Sequence, residues 1–392
     1  MAIQSFSPEH KPSFAPANAI SRSQERIIRA MLDKADITIG GNRPHDMQIH
    51  HADFYQRILR YGSLGLGESY MDGWWDCAAI DSMITHLLQA RIDQYFQRHP
   101  HLWWQPFRAH LFNPQSQRRA YQVAKVHYNL GNDLFTAMLD PLMCYSCAYW
   151  KQADTLEQAQ INKLELACRK LDLQPGEQVL DIGCGWGSFA QYAAMHNGVN
   201  VTGVTVSREQ AALARERCRD LPVNIQLCDY RKTEGQFDKV VSIGMFEHVG
   251  LKNYPTYFQV AQQALKPTGI FLLHTIGTDQ SVPTTDPWIE RYIFPNGKIP
   301  SLVQIAKAAE PYFMVEDVQN FGPDYDTTLM AWKQRFEVAW PQLRQHYDER
   351  FRRMWIYYLS ICAGAFRSGQ LQLYQVVLRQ RAQARSRYDA PR

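Results

Sequence analysis

A strand-like run that ends in three closely spaced glycines constrains the fold of this 392-residue chain more than any other feature. Residues 179–187 read VLDIGCGWG, and a helix-like run (188–196) follows at once. Glycines let the backbone turn tightly and approach a ligand without obstruction by a Cβ atom, and the start of the helix presents unpaired N–H groups. The motif therefore predicts a strand, a ligand-binding turn and a helix. Its spacing, G-x-G-x-G, differs from the G-x-G-x-x-G of dinucleotide folds.

Strand-like and helix-like runs alternate from residue 178 to residue 276. This alternation predicts βαβ units, so we expect an α/β fold with a parallel sheet and helices on both faces. Residues 313–321 and 370–379 alternate apolar and polar side chains, which favours an antiparallel pair at one sheet edge. Between them, the apolar positions of 325–369 recur at helical spacing. That helical insertion fits either ordinary core packing or the roof of a pocket for a long apolar ligand.

The composition of the chain changes along its length and predicts four parts. The glycines at 62, 65 and 67 are expected to occupy turns, because the Lys-Ser/Thr of a phosphate loop does not follow them. The predicted parts are a loose leader (1–20), a small N-terminal α+β domain (21–100) that docks a membrane or a second subunit, a linker (101–120) and a catalytic domain (121–392) with the helical insertion 325–369.

Charge and hydropathy exclude several classes of protein. The 42 Lys and Arg residues against 38 Asp and Glu give a net charge of +4, too little for a dedicated nucleic-acid binder. No run approaches the roughly 18 apolar residues that span a bilayer, and the start lacks a secretory pattern, so we expect a cytoplasmic protein. The segment 379–392 carries five arginines against Asp389. Such a basic tail is typical of a solvated terminus or of contact with an anionic lipid surface.

The strand, glycine turn and helix together resemble motif I of the class I S-adenosylmethionine (SAM)-dependent methyltransferases. The resemblance implies a Rossmann-like sheet that binds SAM, with Asp181 near the methionine end of the donor and Asp229 facing the adenine amine. Most members of this class place an acid after the second strand to bind the ribose hydroxyls. Here Thr205 stands at that position.

Seven motifs in one order are similar to those of the cyclopropane-fatty-acyl-phospholipid synthases and their mycolic-acid-modifying relatives. The similarity continues through the N-terminal region to nearly the whole chain, which favours the longer, phospholipid-acting type. The motifs are HYNLGNDLF (127–135), YSCAYW (145–150), GMFEHVG (244–250), HTIG (274–277), IERYIFPNGKIPS (289–301), FGPDY (321–325) and the group Thr205, Ser207 and Gln210.

This resemblance implies an enzyme that transfers the methyl group of SAM to the cis double bond of an unsaturated phospholipid acyl chain. Closing the cyclopropane ring requires a base that takes a proton from the new methyl group, and the resemblance implies a bound bicarbonate ion. The residues that the resemblance assigns to this ion are Cys147, Glu247, His274, the backbone of Ile276, and Tyr325. The residues assigned to SAM are Tyr145, Ser146, Asp181, Gly183, Gly185, Gly187, Thr205, Ser207, Gln210, Asp229 and Tyr230.

Three cysteines could be given a chemical role, as a nucleophile or as metal ligands. Cys362 matches a residue once considered a nucleophile in this family, but core packing suits it better because alkene methylation needs no covalent intermediate. Cys144 and Cys147 form a C-x-x-C pair without a second pair at zinc-ligand spacing, so we expect no metal.

The alternative function is SAM-dependent methylation of another acyl carrier or of a small amine, as in plant alkaloid N-methyltransferases. We expect the N-terminal unit to separate the two classes, since a small soluble substrate would not need it. A third possibility is a non-catalytic lipid-binding module. The expected partners are the unsaturated phospholipid, the anionic inner face of the plasma membrane, bound peripherally, and a second copy of the chain in a homodimer. Nucleic acid is not expected.

Overall fold

The structure of the protein is a computed structural model, and it describes residues 22–91, 131–282, 284–381 and 387–392. The predicted leader (1–20) and linker (101–120) lie outside these described residues, as do residues 127–130 of the motif HYNLGNDLF (127–135). The described helices are α1 (Arg22–Lys34), α2 (Phe54–Met71), α3 (Ile80–Gln89), α4 (Asn132–Met138), α5 (Leu156–Leu171), α6 (Ser188–Asn197), α7 (Arg208–Arg217), α8 (Tyr254–Ala264), α9 (Pro287–Tyr292), α10 (Leu302–Ala309), α11 (Gly322–Leu343) and α12 (Glu349–Arg367). The described strands are β1 (Gln48–Ile49), β2 (Trp75–Asp76), β3 (Gln178–Ile182), β4 (Asn200–Thr205), β5 (Val223–Leu227), β6 (Phe237–Ile243), β7 (Leu265–Thr278), β8 (Phe313–Asn320) and β9 (Leu371–Gln380).

A seven-stranded sheet in the order β5-β4-β3-β6-β7-β9-β8 forms the centre of the molecule. The first five strands in this order are parallel, and β9 runs antiparallel to both β7 and β8. This arrangement confirms the predicted α/β class and the predicted antiparallel pair. The chain leaves β3 towards β4 on one side and later returns to place β6 on the other, so the sheet has a switch point between β3 and β6. Ligands bind at the carboxyl ends of the strands at such a point.

Helices cover both faces of the sheet. Successive residues of β7 point to opposite sides, so Leu272 packs with Leu164 of α5 while Leu273 packs with Phe258 of α8. Each face therefore has its own apolar core, as expected for parallel strands that are buried on both sides.

The second helix of the insertion, α12, packs against α2 and α3 of the N-terminal unit, which has its own two-stranded antiparallel sheet of β1 and β2. Tyr357 of α12 contacts Tyr70 and Trp75, with ring centroids 5.6 and 6.3 Å away. An ion pair of 2.7 Å between Arg353 and Asp76 lies beside these rings. The N-terminal unit thus supports the outer side of α12. None of the helices in the described part of the chain has an apolar stretch long enough to cross a bilayer.

The prediction that the glycines at 62, 65 and 67 occupy turns is wrong for two of them. Gly65 and Gly67 lie inside α2, and only Gly62 has a non-helical backbone, with φ 56° and ψ −130°. Close packing explains the other two, since a Cβ atom on Gly67 would overlap the indole of Trp288 and one on Gly65 would overlap the carbonyl of Arg57. Glycine here permits contact between elements.

Candidate active site

A cavity, which we call the glycine-turn cavity, opens at the switch point between β3 and β6. Nine of the eleven residues assigned to SAM line it, whereas Gly187 and Ser207 do not. The nine are Tyr145, Ser146, Asp181, Gly183, Gly185, Thr205, Gln210, Asp229 and Tyr230. The sequence motifs that are far apart in the chain thus meet at one edge of the sheet.

The glycine turn has a backbone that favours glycine at each of its three positions. Gly183, Gly185 and Gly187 have φ of 83°, 55° and 83°, in the left-handed region. A Cβ atom on Gly183 would come within 2.6 Å of Met245, whereas one on Gly185 would meet nothing within 4 Å. Gly185 therefore faces open space in the cavity. Gly187 is the N-cap residue of α6 and shapes the turn from outside the cavity.

The end of β4 presents neutral hydrogen-bonding groups where most class I methyltransferases have an acid. Thr205 Oγ1 donates to Gln210 Oε1 over 2.9 Å, and both residues line the cavity. Ser207 Oγ accepts from the backbone N–H of Gln210 over 3.3 Å and so caps α7. Ser207 therefore positions Gln210 and does not border the cavity itself.

Asp229, after β5, is held by a residue that the sequence analysis missed. Arg231 Nε and Nη2 donate to the two carboxylate oxygens of Asp229 over 2.7 and 2.6 Å. Arg231 also lines the cavity. Each carboxylate oxygen accepts more than one hydrogen bond, so the arginine fixes the orientation of Asp229 and leaves it able to accept from a ligand. In the sequence, only the position of Arg231, two residues after Asp229, could have indicated this pair.

Lys163 of α5 is a second lining residue that the sequence analysis missed. It is 1% exposed, and its Nζ donates to Ser146 Oγ over 2.9 Å. Asp181 lines the same cavity, and burial raises its pKa to about 7 although the nearby Lys163 lowers it. The sequence could have indicated Lys163, because it lies on the same face of α5 as Ala159 and Ala167. A lysine on the apolar face of an amphipathic helix is unusual and points to a buried role.

The segment 145–150 is fixed from the side of α11. The backbone N–H of Trp150 donates to Asp324 Oδ2 over 2.7 Å, and that of Ala148 donates to Thr328 Oγ1 over 3.2 Å. The hydroxyl of Tyr145 lies 2.9 Å from that of Tyr358 on α12. The helical insertion therefore sets the position of the segment that carries Tyr145, Ser146 and Cys147.

A second group of polar residues, which we call the Glu247 cluster, comprises Cys147, Glu247, His274, Ile276 and Tyr325. Glu247 lies in a 3-10 helix (Phe246–His248) after β6, and its Oε1 accepts from the backbone N–H of Ile276 over 2.7 Å. Its other oxygen is buried and has no hydrogen-bond partner. Burial raises the pKa of Glu247 to about 7. The backbone of Ile276 was assigned to bicarbonate, and in this structure its N–H group donates to Glu247.

His274 of β7 is neutral and has one free nitrogen. Its Nδ1 lies 3.2 Å from the side-chain amide nitrogen of Gln375, and its Nε2 is buried without a partner. Burial holds the pKa of His274 well below its usual value. Gln375 lies directly opposite His274 in the β7–β9 pair. None of the contacts among the described residues joins His274 directly to Glu247 or Tyr325.

Tyr325, in the first turns of α11, lies within electrostatic range of Cys147 and Glu247. Burial and the neighbouring Cys147 and Glu247 raise the pKa of its hydroxyl well above the usual value. Its ring stacks on Phe366 of α12 at 4.6 Å between centroids. Cys362 also lies within electrostatic range of Tyr325, and burial raises the pKa of the Cys362 thiol to about 12. Cys362 is therefore a protonated thiol near the cluster rather than a thiolate nucleophile.

Comparisons with known proteins agree with this arrangement. A family profile described as mycolic acid cyclopropane synthetase matches residues 115–376. The cyclopropane-fatty-acyl-phospholipid synthase of Escherichia coli (strain K12) is 55% identical over 352 residues, which cover 90% of this chain and 92% of that protein. A crystal structure of mycolic acid cyclopropane synthase CmaA1, complexed with SAH and CTAB, is 33% identical, with a TM-score of 0.63 over 66% of this chain and 98% of that one. A crystal structure of coclaurine N-methyltransferase, bound to N-methylheliamine and SAH, is 21% identical, with a TM-score of 0.66 over 80% of this chain and 99% of that one.

These likenesses confirm the predicted class I methyltransferase fold and SAM as the methyl donor. The share of this chain that superposes on coclaurine N-methyltransferase is larger than residues 121–392 contain, so the shared fold extends before that region.

Proposed function

This chain belongs to the mycolic acid cyclopropane synthetase family of SAM-dependent methyltransferases, and from that premise we propose that it converts the cis double bond of an unsaturated phospholipid acyl chain into a cyclopropane ring. One observation carries the choice of an olefin as acceptor. Cys147, Glu247, His274 and Tyr325 are all buried, and the ring of Tyr325 stacks on Phe366 of α12. Met245 and His248, on either side of Glu247 in the chain, line the glycine-turn cavity. An apolar acceptor needs such a water-excluded wall.

The methyl donor fits the glycine-turn cavity. Gly185 leaves space for a ligand beside the backbone. Asp181 Oδ2 is buried without a hydrogen-bond partner, and a cationic group of the donor would supply one. Asp229, Tyr230, Thr205 and Gln210 would bind the adenosine part. When bound, SAM supplies an electrophilic methyl group, and the protein's task is to hold the olefin in line with it. Such positioning supplies about 7–11 kcal/mol of the barrier in favourable cases.

Aromatic rings connect the cavity to the helical insertion and would hold the acyl chain. Tyr145 contacts Trp332 at 5.2 Å and Phe135 at 5.1 Å between centroids. Phe135 in turn contacts Trp186 at 4.9 Å, and Trp186 lines the glycine-turn cavity. Methyl transfer to an alkene leaves positive charge on the acyl chain, and π faces near that carbon stabilise it.

Ring closure requires that one proton leave the new methyl group beside this positive charge. The Glu247 cluster fits a small anion that would act as the base, since Glu247 Oε2 and His274 Nε2 are both buried without partners. Burial raises the pKa of Glu247 to about 7, so its protonated form would donate a hydrogen bond to such an anion. His274 Nε2 and the Tyr325 hydroxyl would be further donors, whereas the Cys147 thiol already donates to the carbonyl of Ala148 over 3.1 Å. We propose bicarbonate as this anion, and it would supply the base.

The direct test is to incubate the purified protein with SAM and vesicles that carry cis-unsaturated acyl chains. We expect a mass increase of one CH2 per double bond and loss of the olefin signal. Vesicles of saturated lipid are the matched control and should gain nothing. Product from a small tertiary or secondary amine, with none from the unsaturated vesicles, would replace this proposal with the alternative function.

We further propose that the protein acts in the cytoplasm as a homodimer bound peripherally to the anionic inner face of the plasma membrane. The arginines of the basic tail would provide the positive charge for membrane contact. Two of them already form ion pairs within the chain, Arg392 with Asp317 at 2.6 Å and Arg387 with Asp389 at 2.7 Å. Sedimentation with anionic vesicles should fall as ionic strength rises, whereas neutral vesicles should bind less at every salt concentration. Light scattering should give twice the chain mass. Equal binding to both vesicle types would contradict peripheral binding to an anionic membrane. A mass of one chain would contradict the homodimer.

A further inference from the structure

Two buried ionisable groups, one basic and one acidic, border the glycine-turn cavity without pairing with each other. Lys163 is 1% exposed and Asp181 is 2% exposed. Both line the cavity, and Lys163 is the one charged group that shifts the pKa of Asp181 downwards. No described carboxylate lies within 4.0 Å of Lys163 Nζ, whose one hydrogen bond in the described residues is to Ser146 Oγ. Asp181 Oδ2 is buried and has no hydrogen-bond partner.

An arrangement of this kind is unfavourable unless a ligand completes it. An ammonium group has three N–H donors, and Lys163 uses one of them. A buried charge is costly when it is left without a partner, and a separated pair gains less from Coulomb attraction than a contacting one. A ligand that carries both charges at one end would satisfy Lys163 and Asp181 together.

We propose that Lys163 binds the α-carboxylate of the methyl donor while Asp181 binds its α-ammonium group, so that the two residues form one receptor for the zwitterionic amino-acid end. The inference rests on the donor-binding part of the proposed function and is independent of the methyl acceptor. The place of Asp181 near the methionine end was implied by family resemblance, whereas the structure assigns Lys163. Ser146 is the hydroxyl through which Lys163 is oriented.

A second buried lysine of α5, Lys170, has a structural role and serves as a comparison for Lys163. Lys170 lies two turns further along and is 0% exposed. Its Nζ lies 3.6 Å from Asp317 Oδ2, and it does not line the cavity. Asp317 keeps Arg392 as a partner when Lys170 is removed. Lys170→Met is therefore a matched control for Lys163→Met, since each change removes one buried ammonium group from α5.

The test measures binding by calorimetry with two probes. S-adenosylhomocysteine carries the complete amino-acid end, and its decarboxylated analogue, S-adenosyl-3-thiopropylamine, keeps the amine and lacks the carboxylate. We expect the wild-type protein to bind the first about 10- to 100-fold more tightly, the range for a hydrogen bond to a charged group. In Lys163→Met the preference should fall to within about twofold. Lys170→Met should keep the wild-type preference.

Equal affinity of the wild-type protein for the two probes would overturn the proposal, and this comparison needs no variant. Equal weakening of both probes in Lys163→Met would also overturn it, because that result marks a structural lysine. Retention of the full preference in Lys163→Met would do the same. Neither probe is a methyl donor, so failure here is distinguishable from failure to modify the unsaturated vesicles.

Discussion

Two parts of the site satisfy their polar groups in opposite ways. Where β4 and β5 end at the glycine-turn cavity, the chain supplies its own partners, with Arg231 holding Asp229 and Gln210 holding Thr205. In the Glu247 cluster, Glu247 Oε2 and His274 Nε2 are buried and unpartnered, as is Asp181 Oδ2 at the end of β3. The comparison indicates that the groups after β4 and β5 are positioned by the chain itself, whereas the cluster and Asp181 keep buried polar atoms that a ligand can satisfy.

The largest effect should come from changing the cluster while leaving the cavity intact. If Glu247 binds the anion that takes the proton, as proposed, Glu247→Gln should lower kcat by about 10²- to 10⁴-fold. The affinity for S-adenosylhomocysteine should stay within about twofold of the wild-type value. Steady-state kinetics and calorimetry measure the two quantities, and Glu234→Gln, at an exposed acid, is the control. A loss of donor affinity equal to the loss of kcat would mean that the two regions are not separate.

The same substitution should change how the free energy of unfolding depends on pH. Burial raises the pKa of Glu247 from 4.5 to about 7, so between these values the folded state keeps a proton that the unfolded state has lost. Stability from this group is therefore present below about pH 4.5, falls as pH rises, and is fully lost above about pH 7. Glu247→Gln has no charge to bury and should gain up to about 3 kcal/mol on the wild-type protein between pH 5 and pH 8. Urea unfolding at both pH values measures this, and an unchanged difference would contradict the burial of an ionisable carboxyl group.

A smaller effect should come from the cavity side. Arg231→Met removes the guanidinium that orients Asp229, and we expect the donor to bind about 3- to 10-fold more weakly. The value of kcat at saturating donor should remain near that of the wild-type enzyme, because the Glu247 cluster is untouched. Measuring KM and kcat separately gives the answer. A fall in kcat at unchanged KM would show that Arg231 acts on the reaction itself.

The smallest effect is expected at Cys362. Its thiol is protonated, with a pKa raised to about 12 by burial, so it supplies packing rather than a nucleophile. We expect Cys362→Ser to reduce activity by less than about tenfold through altered packing near Tyr325. Activity assays on unsaturated vesicles measure this. A loss of activity as large as that in Glu247→Gln would mean that Cys362 takes part in catalysis.

The parts of the site that could be predicted are those encoded in short segments. The glycine turn is local, because the strand, the turn and the helix that use it are consecutive, and the alternation of runs then fixes the sheet class. Lys163 and Gln375 could not be found in this way. Lys163 borders the cavity only because α5 packs against the sheet beneath Ser146, and Gln375 meets His274 only through the register of β7 with β9. The glycines of α2 were misjudged for the same reason, since Trp288, which Gly67 admits, lies more than 200 residues away.

Counting the hydrogens of the transferred methyl group shows whether a ring is closed by loss of a proton. With a donor whose methyl group carries three deuterium atoms, we expect the product isolated from unsaturated vesicles to retain two of them in the ring, because one leaves to the proposed base. A product that retains all three deuterium atoms as an intact methyl group would contradict the account.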